Sequence, residues 1–376
     1  MGKKLQFDWI LFATIAALSL FGVVMVYSAS AMVALKETDG ASQYGYVFKQ
    51  FAFTVAGLLV MLAATRFDYR WLRQDWLVAG LVLVTIFLLI AVLCFSPVNG
   101  ARRWIKIAGF SFQSSELAKP VLALFLAFLF AKRNASEMLD LKFTFLPSAF
   151  VVGMLLLLIM AEPDLGTALV LAISFAVVYF AAGANWRHFA ITGIVALVGL
   201  AGALLLVPWR MKRILAFLNP WSAENVQGAG YQLVQSLMAV GSGGITGVGF
   251  ANSQQKIYYL PFAHSDFIFA IIGEELGLVG ALAVVAMFGV ILWRGTRTAL
   301  AAPDRFGRLL AIGLTTNIVV QAFFNISVVI GLLPTKGIPL PFISYGGSSV
   351  MVTLLSAGLL LNISQYAGTY DLTDEK

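Results

Sequence analysis

Of the 376 residues, 60% are hydrophobic and only 11% are charged, a composition that excludes a water-soluble globular protein of this length. The formal net charge of +7 does not mark a nucleic-acid-binding surface, because the basic residues fall in short clusters between apolar runs rather than in one patch. Cys94 is the one cysteine and lies in an apolar run, which rules out an intrachain disulfide and a thiolate metal cluster.

Apolar runs of about 18 residues or more recur along nearly the whole chain, each long enough to cross a hydrocarbon core of roughly 30 Å as a helix. A β-barrel would show alternation instead. In chain order the predicted spans are 9–31, 48–64, 77–95, 117–131, 146–160, 165–183, 189–207, 267–293, 309–333 and 348–366. Lys3 and Lys4 precede the first run without a small-residue cleavage site after it, so that run is expected to stay as the first helix. No Pro/Ser-rich linker or internal repeat divides the chain. The expectation is an all-α integral membrane protein, a single polytopic domain over 1–376 with about ten transmembrane helices.

An even number of spans puts both termini on one side, and the short loops say which. With the N-terminus cytoplasmic, the inner loops hold Arg66, Arg70, Arg73, Lys132, Arg133, Lys142, Arg187, Arg294, Arg297, Arg305 and Arg308, whereas the short outer loops hold only Lys36, Lys49 and Lys336. Two outer segments carry cations nonetheless: Arg102, Arg103 and Lys106 in 96–116, and Arg210, Lys212, Arg213 and Lys256 in 208–265. Cations kept on the outer face suit an anionic ligand there. The 208–265 loop is too long to lack structure in a compact bundle, so it is expected to contain short amphipathic helices. Tyr231, Leu233, Val234, Leu237, Met238 and Val240 fall near one helical face with Gln232, Gln235 and Ser236 opposite, the pattern of a helix on the membrane surface. Gly241, Gly243, Gly244, Gly247 and Gly249 read as flexible backbone beyond it.

Four blocks carry the polar chemistry. The first runs from Asn99-Gly100-Ala101-Arg102-Arg103-Trp104 to Ser114-Ser115-Glu116-Leu117-Ala118-Lys119. Glu116 and Lys119, three apart on one helical face, are either a neutralising ion pair or, with the arginines, a clamp for phosphates. The second, Glu162-Pro163-Asp164, is a tight outer turn in which Asp164 either caps the next helix or faces a polar cavity. The third is Pro261-Phe262-Ala263-His264-Ser265-Asp266, where Asp266 stands before an apolar span as an N-cap or as a general base acting on a hydroxyl. Glu274 and Glu275 lie two turns deeper, where carboxylates are costly unless paired or facing a polar cavity. In the fourth, 333–349, three prolines and the glycines forbid a continuous helix and make a rigid turn that offers Lys336 and Ser344.

Together and in this order, the blocks resemble the SEDS family (shape, elongation, division and sporulation) over essentially the whole chain. The turn Leu333-Pro334-Thr335-Lys336-Gly337 resembles the division branch more than the elongation branch, whose turn usually lacks the lysine. The resemblance implies a ten-helix peptidoglycan glycosyltransferase that polymerises lipid II at the outer face of the bacterial cytoplasmic membrane. It implies work with a class B penicillin-binding protein and other division proteins, among membrane lipids and without nucleic acid. The family's essential aspartate carries over to Asp266, its arginine to Arg102 or Arg103, and its Glu and Lys to Glu116 and Lys119. Ser114, Phe262 and Ser265 depart from the family's usual proline, glutamate and threonine, and Phe262 removes a carboxylate beside the expected base.

The expected reaction is one inverting displacement. Asp266 deprotonates the acceptor's 4-hydroxyl, and the departing lipid diphosphate is held by cations. Arg102, Arg103, Glu116, Lys119, Asp164, His264, Lys336 and Ser344 are the expected substrate-binding residues, with Mg or Mn as the expected divalent cation if one takes part. Two rivals use the same features: a lipid-precursor flippase, which also needs intramembrane carboxylates and broken helices, and a non-catalytic division scaffold held by Gly-rich helix faces.

Overall fold

The computed structural model describes residues 7–97, 100–107, 110–205, 207–257 and 259–367. Lys3, Lys4, Asn99 and the acidic tail 370–376, expected to be disordered, lie outside the described residues. The helices are α1 (Trp9–Glu37), α2 (Gly45–Ala64), α3 (Asp75–Val92), α4 (Ser114–Ala131), α5 (Ala135–Met138), α6 (Leu146–Ala161), α7 (Leu165–Ala181), α8 (Trp186–Leu205), α9 (Pro208–Leu218), α10 (Ala223–Val226), α11 (Tyr231–Ser242), α12 (Ile268–Ala301), α13 (Arg305–Val329) and α14 (Gly347–Tyr366). Among the described residues, eight are long and apolar enough to cross a membrane, and α7 with residues 186–199 of α8 supply two shorter apolar helices. That makes ten, in the expected order. The sequence reading missed the short helix α5 and an antiparallel hairpin of β1 (Trp104–Ile107) and β2 (Phe110–Gln113) leading into α4.

Aspartates begin several helices for the reason that exposed N–H groups at a helix start need an acceptor. Asp8 accepts from Leu11 N at 3.0 Å, Asp164 from Thr167 N at 3.1 Å and Asp304 from Gly307 N at 2.8 Å. The most buried helices are α4, α13 and α14, and α13 packs against α4, α7, α11, α12 and α14. One end of the bundle gathers the basic loops: Arg294 pairs with Asp8 at 2.7 Å, Lys132 with Asp75 at 2.7 Å, and Arg305 donates to Ala182 O at 2.9 Å. The other end holds the hairpin, the 162–164 turn, α9 to α11 and the 330–346 connection.

The predicted span 267–293 is observed as α12, longer and broken at Gly277, whose φ of 66° and ψ of −164° are not helical. The break frees backbone groups at membrane depth, and the glycine segment supplies their partners. Val248 N donates to Glu274 O at 3.0 Å and Gly249 N to Glu275 O at 3.1 Å, while Leu278 N donates to Gly244 O at 2.9 Å and Val279 N to Ile245 O at 3.2 Å. A Cβ on Gly243 would lie 2.0 Å from Gly273 O, and one on Gly247 would lie 2.1 Å from Glu275 O. Gly243 and Gly247 are therefore not part of a flexible linker, as the sequence suggested. They are present so that two backbones can touch.

One further expectation changes and another is resolved. Helix α11 forms where the periodicity placed it, yet Gln235 and Ser236 are buried, with Ser236 donating to Val329 O at 2.8 Å. Its packing on α12 and α13 outweighs the preference of its polar face for water. Of the two alternatives open for Glu274 and Glu275, the structure shows pairing: both are buried and hydrogen-bonded. Glu275 accepts from Lys256 Nζ at 2.7 Å and Ser28 Oγ at 2.7 Å, and Glu274 accepts from Gln254 N at 2.9 Å and from the Ser253 hydroxyl. This buried latch ties α1, the outer loop and the first half of α12 together. Removing one partner of such a pair costs roughly 3–5 kcal/mol, so Lys256→Met should lower the unfolding temperature in detergent markedly, while Lys256→Met with Glu275→Gln recovers much of the loss.

Candidate active site

A cavity of about 290 Å³ opens at the end of the bundle away from the basic loops. Its walls come from five places: Arg103 just before the hairpin, the 163–169 stretch at the start of α7, one face of α9, one end of α13, and residues 333–337. Arg103, Arg210, Arg213 and Lys336 contribute positive charge, Asp164 one carboxylate, and Leu165, Leu169, Ile214, Phe324, Val328 and Leu333 an apolar wall. A chamber lined by four cations and an apolar set of side chains suits an amphiphilic anion.

Backbone carbonyls hold Arg103 and Arg213. Arg103 donates through Nε to Glu162 O at 3.2 Å and through its terminal nitrogen to Pro163 O, so the 162–164 turn fixes the guanidinium. Arg210 and Arg213, three apart on α9, flank Trp209 at 5.4 and 5.3 Å from its ring centre, and Arg213 donates to Thr335 O at 3.4 Å. Lys336 is pushed down to about 8 by burial and by Arg210, against the pull of Asp164. Glu162, fully buried and bonded to Ser114 Oγ at 3.2 Å, is pushed up to about 8 by burial and then by Asp164.

Asp266 lies against the wall of this cavity. A Cβ on Gly337, a lining residue, would sit 2.7 Å from Asp266 Oδ2, so only the missing side chain of that glycine makes room for the carboxylate. Burial raises its pKa to about 6. Arg103 pulls it down most, Asp164 pushes it up and Arg213 pulls it down. The residue does not cap α12, because Phe267 holds the N-cap position and no side chain caps the helix. Three successive carbonyls hold the turn instead: His264 O accepts from Tyr345 N at 2.9 Å, Ser265 O from Ser344 Oγ at 2.5 Å, and Asp266 O from Asn325 Nδ2 at 2.7 Å.

Of the residues singled out in the sequence, the structure gathers Asp266, Arg103, Asp164 and Lys336. Asp164 serves both readings, capping α7 and lining the cavity. The other five sit elsewhere. Arg102 is exposed and donates to Leu93 O at 2.9 Å, since neighbours on extended backbone point opposite ways. Glu116 and Lys119 form a buried 2.7 Å ion pair inside the bundle, closed by Ser349 at 2.8 Å and Gln321, so they join α4, α13 and α14 rather than face the cavity. His264 packs between Tyr46 and Tyr345, with ring centres 4.9 and 5.7 Å away. Ser344 is buried, its hydroxyl fully engaged by Ser265 O and by Leu340 N at 2.7 Å. Arg210 and Arg213 were noted only as part of a basic segment. Their spacing of three beside Trp209 was the available signal that they share a helical face.

The donor set is a poor fit for a resident divalent ion. Hard cations take six or more oxygens, whereas among the described residues no group of three metal-binding side chains occurs and Asp164 is engaged by Thr167 N and Oγ1.

Fold and cavity together define a polytopic membrane protein with a cationic, partly apolar cavity at one end of its helical bundle. Residues 8–369 match the model of the FtsW/RodA/SpoVE family, described as cell cycle protein. The chain belongs to that family, the SEDS proteins. It is 40% identical over 369 residues to stage V sporulation protein E of Bacillus subtilis, covering 97% of this chain and 99% of that one. It is 42% identical over 365 residues to a probable peptidoglycan glycosyltransferase FtsW of Geobacter sulfurreducens, covering 96% and 95%. Among solved structures, the rod shape determining protein RodA of Thermus thermophilus matches with a TM-score of 0.71 at 28% identity, covering 98% and 99%. A chain from a peptidoglycan synthase complex that coordinates polymerization and crosslinking matches with a TM-score of 0.77 at 29% identity, covering 96% and 98%.

The charge in the cavity and just behind its wall sets a pH dependence. Lys336 carries its proton below about 8 and loses it above, while Glu162 gains a negative charge over the same range. Binding of a polyprenyl diphosphate, followed by calorimetry, should therefore weaken as pH rises through about 8. Lys336→Met should remove part of that dependence and Glu162→Gln the rest.

Proposed function

We propose that this chain is a peptidoglycan glycosyltransferase that polymerises lipid II during cell division, with inversion at the anomeric carbon. The observation that carries the reading is the position of Asp266 against the wall of a cavity bearing four cations and an apolar side. The acceptor's 4-hydroxyl gives its proton to Asp266 and attacks the donor's anomeric carbon. The bond to the lipid diphosphate breaks with its electron pair. Arg103, Arg210, Arg213 and Lys336 meet the charge that gathers on the leaving group, and the apolar wall receives the start of its polyprenyl chain. Mg or Mn is proposed only as a companion of the ligand's diphosphate, and no step is assigned to it.

The basic loops at the opposite end favour a cytoplasmic location for both termini, which puts the cavity on the outer face of the bacterial cytoplasmic membrane. Likeness to a chain of a peptidoglycan synthase complex supports a class B penicillin-binding protein as partner. The turn lysine, Lys336, and the relatives named FtsW and stage V sporulation protein E favour a division-type role over elongation.

Purified protein given lipid II tests the reading. Asp266→Asn should lower glycan synthesis by about 10² to 10⁴, the contribution of a general base. The wild-type rate should fall as pH drops through about 6, where Asp266 takes up a proton. Near-normal glycan strands from Asp266→Asn would remove that carboxylate from the reaction. Headgroup translocation in vesicles without polymer would favour a flippase instead. The two adjacent arginines should separate: Arg103→Ala should lower kcat by about 10²-fold, whereas Arg102→Ala should change it little.

A further inference from the structure

Asn325 lies on α13, is 1% exposed, and touches neither solvent nor the cavity, yet its amide nitrogen makes two short hydrogen bonds. Nδ2 donates to Asp266 O at 2.7 Å and to Ile338 O at 2.7 Å. Both acceptors belong to non-helical backbone with no ladder of its own. One is the residue carrying the carboxylate. The other follows Gly337, the cavity residue against which that carboxylate rests. Asn325 Oδ1 has no hydrogen-bond partner, and a flipped amide would turn that oxygen toward two carbonyls, so the orientation is fixed by its acceptors. One turn earlier on the same face, Gln321 Nε2 donates to Pro339 O at 2.9 Å, which extends the grip along the connection.

We infer that Asn325 is a positioning residue for Asp266: its single amide ties the turn bearing the carboxylate to the segment that forms the cavity wall, and so fixes the gap between base and cationic chamber. This rests on the glycosyltransferase reading above. Asn325 itself touches no reacting atom. Its two protons are spent on two carbonyls, a task that an aliphatic side chain cannot perform and that a carboxyl performs only while protonated, and then for one carbonyl.

The full chain, assayed on lipid II across a pH series, provides the test with Asn325→Ala and Asn325→Asp. Asn325→Ala should lower kcat by about 10²-fold, the scale of a displacement of roughly 1 Å at a reacting group, with KM for lipid II within about twofold of wild type, as expected for a loss confined to the chemical step. Asn325→Asp should retain a larger share of wild-type rate at acid pH, and that share should fall as pH rises and the introduced carboxyl ionises. Arg103, Asp164 and Arg213 around Asp266, and the Lys119–Glu116 pair beyond Gln321, are present in both proteins, so the ratio to wild type isolates the new group. A pH-independent ratio for Asn325→Asp, or KM rising as much as kcat falls in Asn325→Ala, overturns the inference. Should Asn325→Ala not yield folded protein, the pH ratio of Asn325→Asp decides alone. A wild-type chain that makes no glycan, or Asp266→Asn that matches it, would sink the glycosyltransferase reading rather than this one.

Discussion

Backbone N–H and C=O groups at membrane depth have no water to turn to, and each that departs from a helix must find another partner. That constraint organises the outer half of this protein. The chain leaves helical geometry where chemistry needs it to: at the Gly277 break, in the 260–266 turn and along 333–346. Each departure is matched by a specific donor or acceptor from elsewhere. Residues 244–249 exchange four hydrogen bonds with the broken helix, and Tyr345, Ser344 and Asn325 take the three carbonyls from His264 to Asp266. The irregular outer face is consequently as tightly determined as the helices below it.

Electrostatics follow the same division of labour. Lys256 with Glu275, and Lys119 with Glu116, are neutralised deep in the bundle, where an unpaired charge would be costly. Arg103, Arg210, Arg213 and Lys336 are instead set around one cavity with a single carboxylate among them. Their excess positive charge suits the diphosphate of the proposed substrate, and apolar residues such as Leu169 and Val328 line the same cavity. Asp266, the proposed base, sits at the border, shifted upward by burial and drawn back down by Arg103 and Arg213.

Membrane class, the ten spans and the positions of the polar blocks were legible from residues alone, because a hydrophobic run of about 18 residues has few alternatives to a membrane helix. The roles of individual polar residues were less so. Arg102 and Arg103 are identical in type and adjacent, and only the hairpin shows which of them faces the turn at Glu162. Glu116 and Lys119 matched a phosphate clamp and an ion pair equally well until Ser349 and Gln321 closed around them. Gly243 and Gly247 carried the signature of a flexible linker, and no local pattern distinguishes that from close backbone contact.

By itself, then, the sequence determined what depends on short-range periodicity and composition: helices that span, loops that carry charge, turns that proline and glycine impose. It also placed Asp266, Asp164 and Lys336 among the residues of interest. Tertiary structure decided which of these meet, because a cavity wall is made of segments far apart in the chain. Whether a carboxylate caps a helix, closes an ion pair or rests against Gly337 is settled by what packs beside it, and local pattern does not encode that neighbour.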